Sequence, residues 1–126
     1  MKIFFDVDGT ILASDNGAWS LRPGTQDVFK QLANLGHELY VWTATGKPHA
    51  ETVVETYGLG KWVVACLDKD TNVDPKPDMI VDDDSYLVQK YSGVWVEPYR
   101  ESDPNDRELL KVIDALPSSG SLNLPA

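Results

Sequence analysis

Cysteine is almost missing from this chain: Cys66 is the only one in 126 residues. One thiol excludes an intrachain disulfide framework and agrees with a reducing compartment. Cys66 sits in the apolar stretch Trp62-Val63-Val64-Ala65-Cys66-Leu67 with no histidine beside it, so it reads as a small buried hydrophobe rather than a nucleophile. Long apolar runs are missing too. None approaches the ~20 residues that span a bilayer, and the N-terminus has no signal-peptide architecture. The expectation is a soluble, cytoplasmic chain with no membrane partner. Positive charge is also scarce. Eleven Lys and Arg against 20 acids leave a net charge of −9, which argues against a broad nucleic-acid surface, since that needs a basic face. Local phosphate binding remains open, because a bound divalent ion inverts the charge of its surroundings.

What is present is concentrated in Phe4-Phe5-Asp6-Val7-Asp8-Gly9-Thr10. Ile3-Phe4-Phe5 has the polar-free composition of a strand buried on both faces, and Gly9-Thr10 ends it. In a parallel α/β sheet ligands bind just beyond the carboxyl ends of the strands. Asp6 and Asp8 are expected there, pointing the same way because the side-chain period of a strand is two. Two like charges so close call for a cation between them.

Strand and helix signals alternate along the rest. Residues 13–24 are turn-rich and read as a loop over the strand ends. Thr25 is expected to cap a helix reaching Leu35, with Val28, Phe29, Leu32 and Leu35 on one face and Gly36 at its end. Glu38–Thr43 reads as a strand, 49–57 as a helix, 62–66 as a strand and 68–77 as irregular. Met79-Ile80-Val81 is a short strand ending on Asp82, Asp83 and Asp84. A helix to Tyr91, a strand over 94–96 and a last helix over 105–116 complete the pattern. This predicts an α/β fold: a single Rossmann-like domain over 1–116, about five parallel strands with helices on both faces. Residues 117–126 read as a flexible tail.

Three strand ends then carry polar residues to one edge: Asp6/Asp8, Thr43 and Asp82/Asp83. Carboxylates are hard oxygen ligands that suit Mg²⁺, with Asp6 and Asp83 as the expected ligands. A lysine before the acids, Lys76, is expected to neutralise a phosphate, with Lys69 as its rival. The Thr43 hydroxyl and backbone N–H groups near Asp8, Gly9 and Ala44 would bond the remaining phosphate oxygens. In this reading Asp6 attacks phosphorus and Asp8 protonates the leaving oxygen, then activates water.

In these motifs the sequence resembles the haloacid-dehalogenase (HAD) superfamily of phosphohydrolases. Its first motif matches Asp6-Val7-Asp8-Gly9-Thr10. Its second, an apolar strand ending in a hydroxyl, matches Leu39-Tyr40-Val41-Trp42-Thr43. Its third and fourth match Lys76-Pro77-Asp78-Met79-Ile80-Val81-Asp82-Asp83. The resemblance implies Asp6 as nucleophile and Asp8 as general acid and base. It further implies Mg²⁺ held by the Asp6 carboxylate, the Asp8 backbone carbonyl and a fourth-motif acid. The acidic pair is either Asp82-Asp83 or Asp83-Asp84; the first leaves Asp84 free to cap the next helix. The spacings between motifs are filled by single helices and strands, so the chain is similar to the capless members, whose open sites accept a phosphate on a small or large molecule or are closed by a second subunit.

The substrate class stays open. Arg22-Pro23-Gly24 and Tyr40-Val41-Trp42-Thr43-Ala44 are similar to the branch acting on phosphoserine tails. Gly9 is commoner in small-metabolite phosphatases, and Ile80-Val81-Asp82-Asp83 looks like the phosphatase half of polynucleotide kinases. A non-catalytic module binding Mg²⁺ and phosphate is the rival from another class. Trp42 and Trp95 read as core. Trp19 and His49 lie where they could touch substrate, though His49 reads first as a solvated helix start. Arg22 and Arg100 read first as surface charges.

Overall fold

The structure, a computed structural model, describes residues 1–116; the expected tail at 117–126 lies outside them. Strands β1 (Lys2–Asp6), β4 (Glu38–Thr43), β5 (Val63–Asp68), β6 (Met79–Asp82) and β7 (Gly93–Trp95) form one parallel sheet in the order β5-β4-β1-β6-β7. From β1 the chain proceeds outward through β4 to β5. It then crosses back to β6 and continues outward to β7. The direction of winding reverses between β1 and β6, and that is where an open α/β sheet forms its ligand crevice.

Helices cover both faces, as the alternating pattern predicts. Helices α1 (Thr25–Asn34), α2 (Lys47–Thr56) and α4 (Leu110–Ala115) pack on the face carrying Ile3, Phe5, Leu39, Val41 and Val81. The short α3 (Ser85–Tyr91) covers the other face over Phe4, Tyr40, Trp42 and Ile80. Asp84 caps α3, its carboxylate accepting the Tyr86 and Leu87 N–H groups. Among the described residues no helix is long and apolar enough to cross a membrane.

Several local expectations are corrected. The segment read as a loop holds an antiparallel hairpin, β2 (Leu12–Asp15) and β3 (Ala18–Leu21). Its strands are short and its turn is Asn16-Gly17, both at positive φ, so the turn chemistry was visible but the flanking alternation was not. Thr25 is not the cap of α1. Gly24 precedes the helix, and the Thr25 hydroxyl donates to the Arg22 carbonyl. Leu35 falls past the end of the helix and is exposed. The last helix is confined to Leu110–Ala115. Trp42 is buried as expected, but Trp95 is exposed and its indole N–H donates to the Asp83 carbonyl.

Arg22 is the largest departure. Far from being a surface charge, it is buried and forked onto Asp106 (2.8 and 3.0 Å), with further bonds to the carbonyls of Thr10 and Glu97. One guanidinium thus ties the turn after β1 to the segment after β7. Removing one partner of such a pair strands the other charge. Asp106→Asn is expected to lower the unfolding free energy by about 3 kcal/mol, seen as a shifted denaturant midpoint with unchanged slope. Partial burial of Asp106 opposes its ionisation, but the Arg22 bonds, the Glu108 N–H and the Arg107 charge together hold the carboxyl below its ordinary 3.8. The contribution is therefore fully present above pH 3.8 and fades as pH falls through the lower folded value. That acid-side loss is expected to be absent from the Asn variant.

Candidate active site

β1 ends at Asp6 and is level with β6: Phe5 pairs with Val81, so Asp6 and Asp82 follow as neighbours at the two strand ends. Asp6, Asp82 and Asp83 each place a carboxylate oxygen within 4.8 Å of the others. At such separations two carboxylates repel by roughly 3–4 kcal/mol in a partly buried setting. One cation answers this locally. Lys69 Nζ donates to Asp6 Oδ1 at 2.8 Å and to Asp82 Oδ2 at 2.9 Å, and lies 5.6 Å over the Trp42 ring.

Lys69, not Lys76, therefore stands among the acids. Lys76 is exposed and its Nζ donates to the Thr71 carbonyl. The reason is directional. Lys76 precedes β6 and so belongs to the amino edge of the sheet, where neighbouring Asp78 bonds the Lys2 backbone in both directions. The acids lie at the carboxyl edge, a strand's length away. Lys69 directly follows the last residue of β5, and its N–H donates to the Thr43 carbonyl at 3.1 Å. Closeness in sequence misleads here because a strand intervenes.

Thr10, read only as the end of the first strand, is central. Its hydroxyl donates to Asp6 Oδ2 at 2.9 Å and accepts the Asp83 N–H at 3.2 Å. Gly9, at φ +86, leaves the space that Asp83 fills: a Cβ there would lie 2.5 Å from Asp83 Oδ2. Its N–H already donates to the Leu12 carbonyl at 2.9 Å. Gly9 is thus not free to bind phosphate as expected; its part is steric. Thr43 ends β4, buried, with Oγ1 accepting the Thr45 N–H at 3.1 Å while its own proton remains available to donate. Ala44 follows it, exposed.

Asp8 does not point with Asp6. The N–H groups of Thr10, Ile11 and Leu12 all converge on the Val7 carbonyl, so the chain turns at once and the strand period ends. The Asp8 carboxylate is consequently outside the cluster of three. It is 47% exposed, against 8% for Asp6, with Oδ1 3.2 Å from His49 Nε2 and Oδ2 accepting the Thr45 hydroxyl at 3.3 Å. Asp82 accepts the Asp84 N–H at 2.9 Å through its other oxygen. Asp83 keeps Arg100, largely exposed, at 3.6 Å. Asp82 and Asp83 stand around Asp6, and Asp84 caps the helix.

Environment separates the two first-motif acids. Burial, then the Asp82 charge, push Asp6 up to about 7 despite the opposing Lys69 and Thr10 bonds. Burial also raises Asp82 against the pull of Lys69. Lys69 and the largely exposed Arg100 are fewer positive charges than the three acids require. A buried acid short of cations, beside an exposed acid with two partners, is an arrangement fit for nucleophile and proton carrier.

Residues 1–123 match the family model described as NLI interacting factor-like phosphatase. The chain belongs to that family. It is a HAD-superfamily phosphatase family, and the small size agrees with the capless form. No curated protein matches the chain. The fold agrees: only the β2–β3 hairpin separates the first motif from α1, and only an irregular loop separates β5 from β6.

Two substitutions probe this phosphatase site. Lys69→Met is expected to cost about 100-fold or more in kcat, while Lys76→Met stays within about twofold of wild type, as a surface change does. Gly9→Ala is expected to fold yet lose about 100-fold in turnover, the effect of displacing a site group by about 1 Å, with circular dichroism establishing that the fold is retained.

Proposed function

We propose that this chain is a Mg²⁺-dependent phosphomonoesterase that passes the phosphoryl group through Asp6 to water. The observation that carries the reading is the buried Asp6 carboxylate, held by Lys69 and Thr10 beside Asp82 and Asp83, with Asp8 exposed two residues on.

The residues fit a hard divalent cation. Three carboxylates converge within 4.8 Å, and burial, then the neighbouring Asp82 charge, oppose the ionisation of Asp6. The Asp6 and Asp83 carboxylates would hold the ion, with the Asp8 backbone carbonyl added by the resemblance. Both Asp82 oxygens are already engaged, by Lys69 and by the Asp84 N–H, so Asp82 acts through the lysine it anchors. When bound, Mg²⁺ supplies the charge that keeps Asp6 ionised and offsets that of the phosphate.

The chain's own groups do the rest. An Asp6 oxygen attacks phosphorus as the bond to the leaving oxygen breaks, giving an aspartyl-phosphate. Asp8, as general acid, gives a proton to the leaving oxygen and later takes one from the water that cleaves the acyl phosphate. Lys69 favours the Asp6 anion and orients it, and the Thr43 hydroxyl donates to a phosphate oxygen with the Ala44 backbone beside it. With no cap over the strand ends among the described residues, the site suits an exposed phosphate on either a small molecule or a macromolecule.

Asp6→Asn is expected to abolish hydrolysis of an aryl phosphate, as is excess chelator; full turnover surviving either would reject the mechanism. Independently of activity, saturating Mg²⁺ is expected to raise the melting temperature by several degrees, since a ligand at 100 times its Kd adds about 2.7 kcal/mol. Asp83→Asn is expected to remove most of that shift.

A further inference from the structure

Resting on that phosphatase reading, we propose that His49 is a positioning residue that aims the Asp8 carboxyl at the leaving oxygen, with Trp19 bracing it. Asp8 is nearly half exposed, and it lies just past the end of a strand. A carboxyl so placed has rotamer freedom, and a general acid must meet its proton acceptor within hydrogen-bond reach. Two contacts remove that freedom. The Thr45 hydroxyl donates to Oδ2 at 3.3 Å, and His49 Nε2 is 3.2 Å from Oδ1. With the Nε2–H tautomer both partners donate, so each carboxyl oxygen keeps a lone pair to carry the transferred proton.

The imidazole is itself held. His49 sits in the first turn of α2, where Gly46 offers no side chain and Asp68 from the end of β5 takes the Lys47 N–H at 2.6 Å. That bond fixes the helix start, and hence His49, against the carboxyl edge of the sheet. From the other side Trp19 of β3 meets the imidazole edge to face, ring centroids 5.6 Å apart. Two other segments therefore meet the Asp8 carboxylate, the turn after β4 and α2, and β3 braces the imidazole behind them. A histidine serving only as a solvated helix start would need neither the carboxylate nor the indole.

The bookkeeping of the step shows where His49 matters. As the Asp6–phosphorus bond forms, the phosphorus–oxygen bond breaks and its electron pair goes to the leaving oxygen, which takes the Asp8 proton. An acidic phenol leaves as its anion with little help. An alcohol, far less acidic, needs that proton. Misaiming Asp8 should therefore harm alkyl esters selectively, whereas a general loosening of the fold lowers both substrates alike.

The experiment compares kcat/KM for p-nitrophenyl phosphate and glycerol 2-phosphate, with Mg²⁺, in wild type, His49→Ala, His49→Gln and Trp19→Ala. His49→Ala is expected to lower the alkyl ester about tenfold or more, a portion of the 10²–10⁴ that a placed general acid contributes, and the aryl ester less than about threefold. His49→Gln, which keeps a donor, is expected to recover much of the alkyl activity, and Trp19→Ala to give a weaker form of the same split. Equal losses on both substrates, or no loss on either, would overturn the proposal. Asp6→Asn and Asp8→Asn run alongside. Full activity in Asp6→Asn condemns the phosphatase mechanism itself, whereas an alkyl-selective loss in Asp8→Asn without one in His49→Ala condemns only the role given to His49.

Discussion

A single ammonium group between two buried carboxylates organises the centre of this molecule. Lys69 bonds Asp6 and Asp82 at once and offsets part of the burial and mutual repulsion that oppose their ionisation. The pair it binds comes from β1 and β6, the two strands between which the winding of the sheet reverses. The lysine comes from the end of β5, at the sheet's far edge, with its ammonium over the Trp42 ring. Charge, topology and packing thus meet at one nitrogen atom. Because the local charge remains negative even so, the same arrangement that holds the strand ends together also prepares them for a divalent cation.

Around that centre the two first-motif aspartates have opposite surroundings. Asp6 belongs to the sheet, dry and paired with Lys69 and Thr10; Asp8 belongs to the turn, wet and held by the His49 ring at the start of α2 and the Thr45 hydroxyl in the turn before it. Division of labour between like residues comes from environment rather than identity. Arg22 supports the division from beneath, since it bonds the Thr10 carbonyl while anchored on Asp106. The segment after β7 is therefore coupled to the turn that carries Thr10, the residue bridging Asp6 and Asp83.

Much of this was legible in the residues. Alternating apolar runs and capping signals foretold a parallel sheet with helices on both faces, and Asp84 caps α3 as its position suggested. Where the reading failed, the failures share a cause. Lys76 is near the acids in sequence but a strand's length away in space, at the wrong edge. Asp8 escapes the strand period because the chain turns at Val7. Arg22 looks like any other surface arginine until the segment carrying Asp106 folds over it. A usable signal existed for Lys69 alone, since it immediately follows an apolar strand, as the other polar residues at the site do.

The sequence by itself determined which chemistry was possible: an acidic pair after a buried strand, a hydroxyl after a second and paired acids after a third are local patterns, set by the period of a strand and the repulsion of neighbouring charges. Tertiary structure alone decided which lysine answers those acids, why Gly9 leaves room for Asp83, and what faces Asp8. Those depend on distances across the sheet. The direction of parallel strands, and the order in which they lie side by side, convert positions far apart along the chain into neighbours and positions close along it into strangers.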